Sequence, residues 1–116
     1  MTEIQIRRLS AIADATGDQL VLMDALPFQE AIHWTCIEAR DLTTKTARID
    51  LVLMQSRIEF VLRGRAVASK ENTVSILEDV YAPGEYRVGA RFVGAAEGDV
   101  LELWAYGIVQ RVLPIE

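Results

Sequence analysis

Hydrophobic and polar residues alternate along much of the chain with a period of two, the spacing at which successive side chains leave opposite faces of a strand. Tyr86, Val88, Ala90 and Phe92 fall on one side of such a run, with Glu85, Arg87, Gly89 and Arg91 on the other. Leu101, Leu103 and Ala105 likewise oppose Glu102, Trp104 and Tyr106. Gly94, Ala95, Ala96, Glu97, Gly98 and Asp99 separate the two runs, so 85–106 reads as a β-hairpin. Ala47, Ile49, Leu51 and Leu53 alternate with Arg48, Asp50, Val52 and Met54, and Ile58, Phe60 and Leu62 with Glu59, Val61 and Arg63, each giving one inward face. Together the pattern predicts strands over 4–13, 19–24, 31–40, 47–55, 58–67, 73–80, 85–93 and 100–112. About eight strands of this length predict an all-β fold, a single antiparallel β-sandwich of jelly-roll-like form. Helical spacing competes only over 41–53, through Leu42, Ile49 and Leu53, and Thr43, Thr44 and Thr46 disfavour it there.

The breaks between runs carry turn chemistry. Pro83 followed by Gly84 suits a type II turn, in which proline presets the first central φ and glycine takes the positive φ of the second. The pattern Ala, x, Gly, Asp, x, Leu, x, Leu occurs twice, at 15–22 and at 96–103. Gly17 and Gly98 are expected to take a φ that other residues avoid, and Asp18 and Asp99 to accept from nearby backbone amides. The alternative is a calcium loop built on Asp14 and Asp18, or on Glu97 and Asp99, but two carboxylates on a short turn are too few oxygen ligands for a dedicated site.

The 116 residues make one domain, 1–116, with ends at 1–8 and 112–116 that are able to extend, and 51% hydrophobic residues exclude a disordered chain. A formal net charge of −5 repels phosphate backbones, and acidic neighbours such as Glu3 and Glu59 dilute the basic groups Arg7 with Arg8 and Arg57, Arg63 and Arg65. Direct nucleic-acid binding is therefore not expected. Neither is a membrane, because no apolar run approaches the roughly 20 residues that span a bilayer. The opening residues lack the basic and apolar regions of a signal peptide, so synthesis and folding in a cytoplasm are expected. Cys36 is the only cysteine, which excludes an intramolecular disulfide, and its neighbours Trp34 and Ile37 favour a small buried hydrophobe over a reactive thiol.

Catalytic chemistry finds no foothold. His33 is the one histidine, and no Gly-x-Ser-x-Gly turn exists to expose a nucleophile beside it, so it is expected on the outer or partly buried face of a strand. One histidine with one cysteine cannot supply a protein-only zinc site. Glu78 and Asp79 are neighbours on a strand and point to opposite faces. No phosphate-cradling glycine loop is present. No catalytic residue, metal or cofactor is assigned.

The candidate contact residues are aromatic and terminal. Trp104 and Tyr106 share a face with Glu102; such rings serve either a sandwich core or an interface, and a one-residue bulge would exchange the two. Ile4, Ile6, Arg7 and Arg8 open the chain, and Leu113 and Ile115 flank Pro114 at its finish. These ends either pack on their own domain or reach a neighbour.

The run Ser75, Ile76, Leu77, Glu78, Asp79, Val80, Tyr81, Ala82, Pro83, Gly84, Glu85, Tyr86, Arg87, Val88, Gly89, Ala90, Arg91, Phe92, followed by Gly98, Asp99, Val100, Leu101, Glu102, Leu103, Trp104, resembles the small β-sandwich virion proteins of tailed bacteriophages. The resemblance is carried by turn and core residues of the final third. It implies a capsid decoration or cement protein, bound to the major capsid protein on the capsid exterior, commonly as a trimer, and made in the host bacterial cytoplasm. A connector or tail-associated subunit would use the same fold in a ring of low copy number. A carbohydrate-binding module would offer Trp104, Tyr106 or Tyr81 as a flat platform for sugar rings.

Overall fold

The computed structural model describes residues 2–25, 30–43, 48–66, 73–76 and 79–111. Among them lie nine strands: β1 (Thr2–Ile12), β2 (Gly17–Leu22), β3 (Glu30–Asp41), β4 (Arg48–Gln55), β5 (Ile58–Ala66), β6 (Thr73–Ile76), β7 (Val80–Pro83), β8 (Arg87–Ala95) and β9 (Val100–Arg111). They form two antiparallel sheets, one in the order β1-β9-β3-β6 with β7 also on β3, the other β2-β8-β4-β5. Thr2 faces Gln110, Gly17 faces Ala95, Ala31 faces Pro83, Arg48 faces Ala66, and Gln55 faces Ile58. The pairs are nested, so the chain is one long hairpin with its tip at Ser56 and Arg57, rolled until alternate strand pairs fall in alternate sheets. That is a jelly roll.

The core lies between the sheets. Ile49, Leu51, Val88, Ala90 and Phe92 from one sheet meet Ile37, Ala39, Leu101, Leu103 and Ala105 from the other, all but fully buried. Full burial of a large aliphatic or aromatic side chain contributes roughly 1.5–3 kcal/mol, so this interleaved set fixes which way each strand faces.

The expected hairpin over 85–106 does not form. β8 pairs with β2 and β4, whereas β9 pairs with β1 and β3, so the connection between them crosses from sheet to sheet. Alternation shows that each run has a buried side but not which neighbour it pairs with. The two turns of similar sequence sit side by side at this crossing. Ala13 N donates to Asp99 O (2.9 Å), Gly98 N donates to Ala13 O (2.8 Å), and Glu97 N donates to Thr16 Oγ1 (3.2 Å). Gly17 and Gly98 have the positive φ expected, 132° and 89°. Asp99 accepts from Ala96 N through Oδ2 (3.0 Å), while Asp18 makes no such bond among the described residues.

Other expectations change too. The predicted strand over 73–80 is two strands, β6 and β7. Ala47, Val67 and Val112, predicted in strands, lie outside the described residues. At Pro83-Gly84 the positive φ falls on Glu85 (75°), not on Gly84, so the turn sits one residue later than predicted. Ile58 and Phe60 are exposed, 56% and 45%, because β5 is an edge strand whose pairing with β4 slips between Leu51 and Val52.

The pairing of β3 with β9 slips between Trp34 and Cys36. Ahead of this bulge Ile32 and Trp34 are buried; beyond it Ile37 and Ala39 are. Even-numbered residues thus point inward on one side and odd-numbered on the other, as an extra residue in a strand requires. Thr35 Oγ1 donates to the Tyr106 carbonyl (3.3 Å) and so caps the disrupted ladder. Trp34 lies against Gly107, where an added Cβ would stand 2.6 Å from the His33 carbonyl oxygen and 2.9 Å from the indole. Gly107→Ala is therefore expected to lower stability by about 2 kcal/mol, as overpacking does; an unchanged denaturant midpoint would show that the bulge relaxes freely.

Candidate binding face

The bulge in β3 sets what faces outward from the five-stranded sheet. His33 stands outside before it, and Cys36, Glu38 and Arg40 after it, all beside β9. Register then lays out four rows across the strands. Ile4, Ile108, His33 and Tyr81 form the first, and Ile6, Tyr106 and Cys36 the second. Arg8, Trp104, Glu38 and Ser75 form the third, and Ser10, Glu102, Arg40 and Thr73 the fourth.

The first two rows are apolar and open. Ile4 is 76% exposed, Ile6 65%, Tyr81 69% and Ile108 37%. The Tyr81 ring stacks on His33, with centroids 4.2 Å apart, and His33 Nε2 lies 2.8 Å from Asp79 Oδ1, so the aromatic corner is held in place. The outer face of the other sheet is different: Arg91 forks onto Glu59 (2.6 and 3.2 Å) and Arg48 Nε donates to Asp50 Oδ1 (2.6 Å), as befits a solvated surface. Side-chain hydrogen bonding to Arg91 holds the Glu59 carboxyl below the usual carboxylate range, against the opposing effect of burial.

The third and fourth rows are polar and interlocked. Glu102 is on the outer face, yet its side chain is 1% exposed because Arg8 (2.9 Å), Arg40 (3.4 Å) and the Trp104 indole Nε1 all converge on its carboxylate. Burial pushes the Glu102 pKa up; hydrogen bonds from Arg8 and Trp104, with the charges of Arg8 and Arg40, outweigh burial and leave it lowered. The Arg8 guanidinium carbon also sits 4.9 Å from the centroid of the Trp104 ring. Tyr106 flanks the indole at 6.3 Å with a tilt of 35°. The two rings meet at an angle and do not form one flat platform.

Of the contact residues predicted from sequence, Ile4, Ile6, Arg8, Trp104 and Tyr106 come together on this face. Arg7 does not: it points to the sandwich edge, where its Nη1 donates to the Asp24 carbonyl (2.9 Å) beside a hollow of about 370 Å³. Leu113 and Ile115 lie outside the described residues. Sequence reasoning did not single out Ile108, Glu38 and Arg40. The alternation of Cys36, Glu38 and Arg40 was visible, but their place beside Trp104 depends on β3 pairing with β9. Cys36 is only partly buried on this face, and burial first, then the neighbouring Glu38 charge, push its thiol up, which keeps it protonated. Among the described residues, no group of three or more His, Cys, Asp or Glu is arranged to hold a metal.

Because its folded pKa lies below the unfolded value of about 4.3, Glu102 stabilises the fold at neutral pH, and that contribution disappears as pH falls through the folded pKa. Glu102→Gln is expected to cost about 2 kcal/mol at pH 7 and much less at pH 3. Urea denaturation at both values checks it, and an equal cost at both would remove the carboxylate from the account.

No protein-family model matches the sequence, and no curated protein matches it. Among solved structures, a protein of the Bacillus endospore appendages, described as a novel family of disulfide-linked pili, is similar with a TM-score of 0.55 at 13% identity, over 97% of this chain and 89% of its own. Eiger, a TNF from S. frugiperda, is similar with a TM-score of 0.35 at 10% identity, over 94% of this chain and 87% of its own.

Proposed function

We propose that this chain is a non-enzymatic structural subunit of a bacteriophage virion, which attaches to the outside of the capsid and stabilises its lattice. The observation that carries the reading is the apolar end of the outer face, where Ile4, Ile6, Ile108 and Tyr81 are exposed on neighbouring strands of one sheet. Contiguous exposed apolar surface on a small domain marks an interaction site. The resemblance of 75–92 to phage virion proteins supplies the partner class, and Tyr81 of that run stands on this same face. A solved structure of similar fold, with a TM-score of 0.55, comes from appendages described as pili, themselves assemblies. Its disulfide linkage does not transfer, because one cysteine within these 116 residues links at most two copies.

In this reading the subunit binds the assembled capsid and not free capsid protein. Mass action then opposes rupture, since occupancy at 100 times Kd stabilises the bound state by about 2.7 kcal/mol. The resemblance further implies a trimer, which light scattering on the purified protein with and without capsids would count.

The test is sedimentation with particles. The protein is expected to copurify in fixed ratio to the major capsid protein, and Ile4→Asp with Ile108→Asp to lose attachment at least tenfold while keeping the wild-type melting temperature. Particles devoid of the protein, or full attachment by the double variant, would overturn the reading.

A further inference from the structure

We propose that the hollow between β3 and β9, at the polar end of the outer face, is a subsite for one ring of a neutral saccharide. The hollow is lined by Glu38, Arg40, Trp104 and Tyr106 and has a volume of about 220 Å³. That is below the roughly 300–1,000 Å³ of clefts that enclose a drug-sized ligand, so it admits one ring.

Trp104 is prepared for such a ring. Arg8 on β1 covers the indole from one side, and the hollow opens on the other side, toward β3. The indole N–H is already given to Glu102, so what remains facing the hollow is apolar ring surface, held in one orientation by two partners. Tyr106, tilted against it, closes a second wall. Angled aromatic walls suit the C–H face and edge of a sugar, where weak C–H contacts add to area burial.

The polar groups fit the same ligand. Among the described residues the Glu38 carboxylate has no hydrogen bond or ion pair, so it is a ready acceptor. Arg40 makes a single long bond, 3.4 Å to Glu102, and 43% of its side chain is exposed, so donors remain. A hydroxyl both donates and accepts, and a vicinal pair meets Glu38 with one and Arg40 with the other. Charge narrows the class: Arg8 and Arg40 cancel Glu38 and Glu102. An anionic ligand meets the Glu38 carboxylate and a cationic one the Arg40 guanidinium, whereas a neutral polyol opposes neither.

This subsite is independent of the capsid reading. The row of Ile4, Ile108 and Tyr81 lies two rows from Trp104, while Ile6 sits across from Tyr106 at the rim of the hollow, so a subunit docked by the first row leaves the Trp104 side of the hollow open.

One ring on an open sheet binds weakly, with Kd on the order of 1 mM, so the test is titration of the full chain with neutral hexoses, N-acetylhexosamines and their short oligomers. The readout is the NMR shift of the two indole N–H signals. The signal of Trp104 is expected to move with at least one neutral sugar while that of buried Trp34 stays. Glu38→Ala, which removes a side chain with no hydrogen bond or ion pair among the described residues and should fold normally, is expected to weaken binding at least tenfold, as is Trp104→Ala. Ile4→Asp with Ile108→Asp should leave sugar binding unchanged and so separates failure here from failure of the docking reading. No shift with any neutral sugar, binding confined to anionic glycans, or wild-type affinity in Glu38→Ala would overturn the proposal.

Discussion

One extra residue in β3, opposite a glycine, governs which chemistry this protein shows to its surroundings. Ile32 and Trp34 must face inward, and so must Ile37 and Ala39, but a regular strand cannot turn both pairs the same way because they differ in parity. The slip between Trp34 and Cys36 resolves the conflict, at the cost of a disrupted ladder that Thr35 partly repairs. A regular strand would either bury Glu38 and Arg40 and expose Ile37 and Ala39, or expose Ile32 and Trp34, each costing several kcal/mol. Burial therefore enforces the bulge, and the bulge brings His33 and Arg40 to one surface.

The same long-range logic explains what could be read from the sequence and what could not. Period-two alternation located most of the strands and set Leu101, Leu103 and Ala105 on the face opposite Trp104 and Tyr106, because the division of a strand into two faces is local, but it left open which face is the core. Partnership is not local. The runs at 87–95 and 100–111 look like a hairpin to any local rule, yet each is pulled into a different sheet by strands far earlier in the chain, as with Leu22 facing Gly89, Met54 facing Arg87 and Ile12 facing Val100. The parity break at Thr35 was present in the spacing of Ile32, Trp34, Ile37 and Ala39, and only the pairing with β9 gives it meaning.

The candidate face was legible in part for the same reason. Ile4, Ile6, Arg8, Trp104 and Tyr106 stand out by type, and antiparallel pairing of the two ends of the chain gathers them. Arg7 separates from Arg8 because adjacent residues on a strand leave opposite faces. Glu102 was the harder residue. Alternation assigns it to an outer face, where a carboxylate would ordinarily be solvated, and its near-complete burial arises only because Arg8 from β1, Arg40 from β3 and Trp104 from its own strand close over it. Three strands separated widely in sequence meet at that carboxylate, so no single segment announces it.

Charge completes the division of labour between surfaces. The chain carries a net −5, but the four ionised side chains of the polar rows cancel and the apolar rows carry none beyond the His33–Asp79 corner. In the proposed reading, a neutral face on an acidic body meets a partner surface without net repulsion from its own contact groups. In that reading the orientation is fixed on contact by Ile4, Ile108 and Tyr81, whose burial is the gain. Electrostatics of this kind supplies direction more than affinity, and the affinity has to come from the apolar rows.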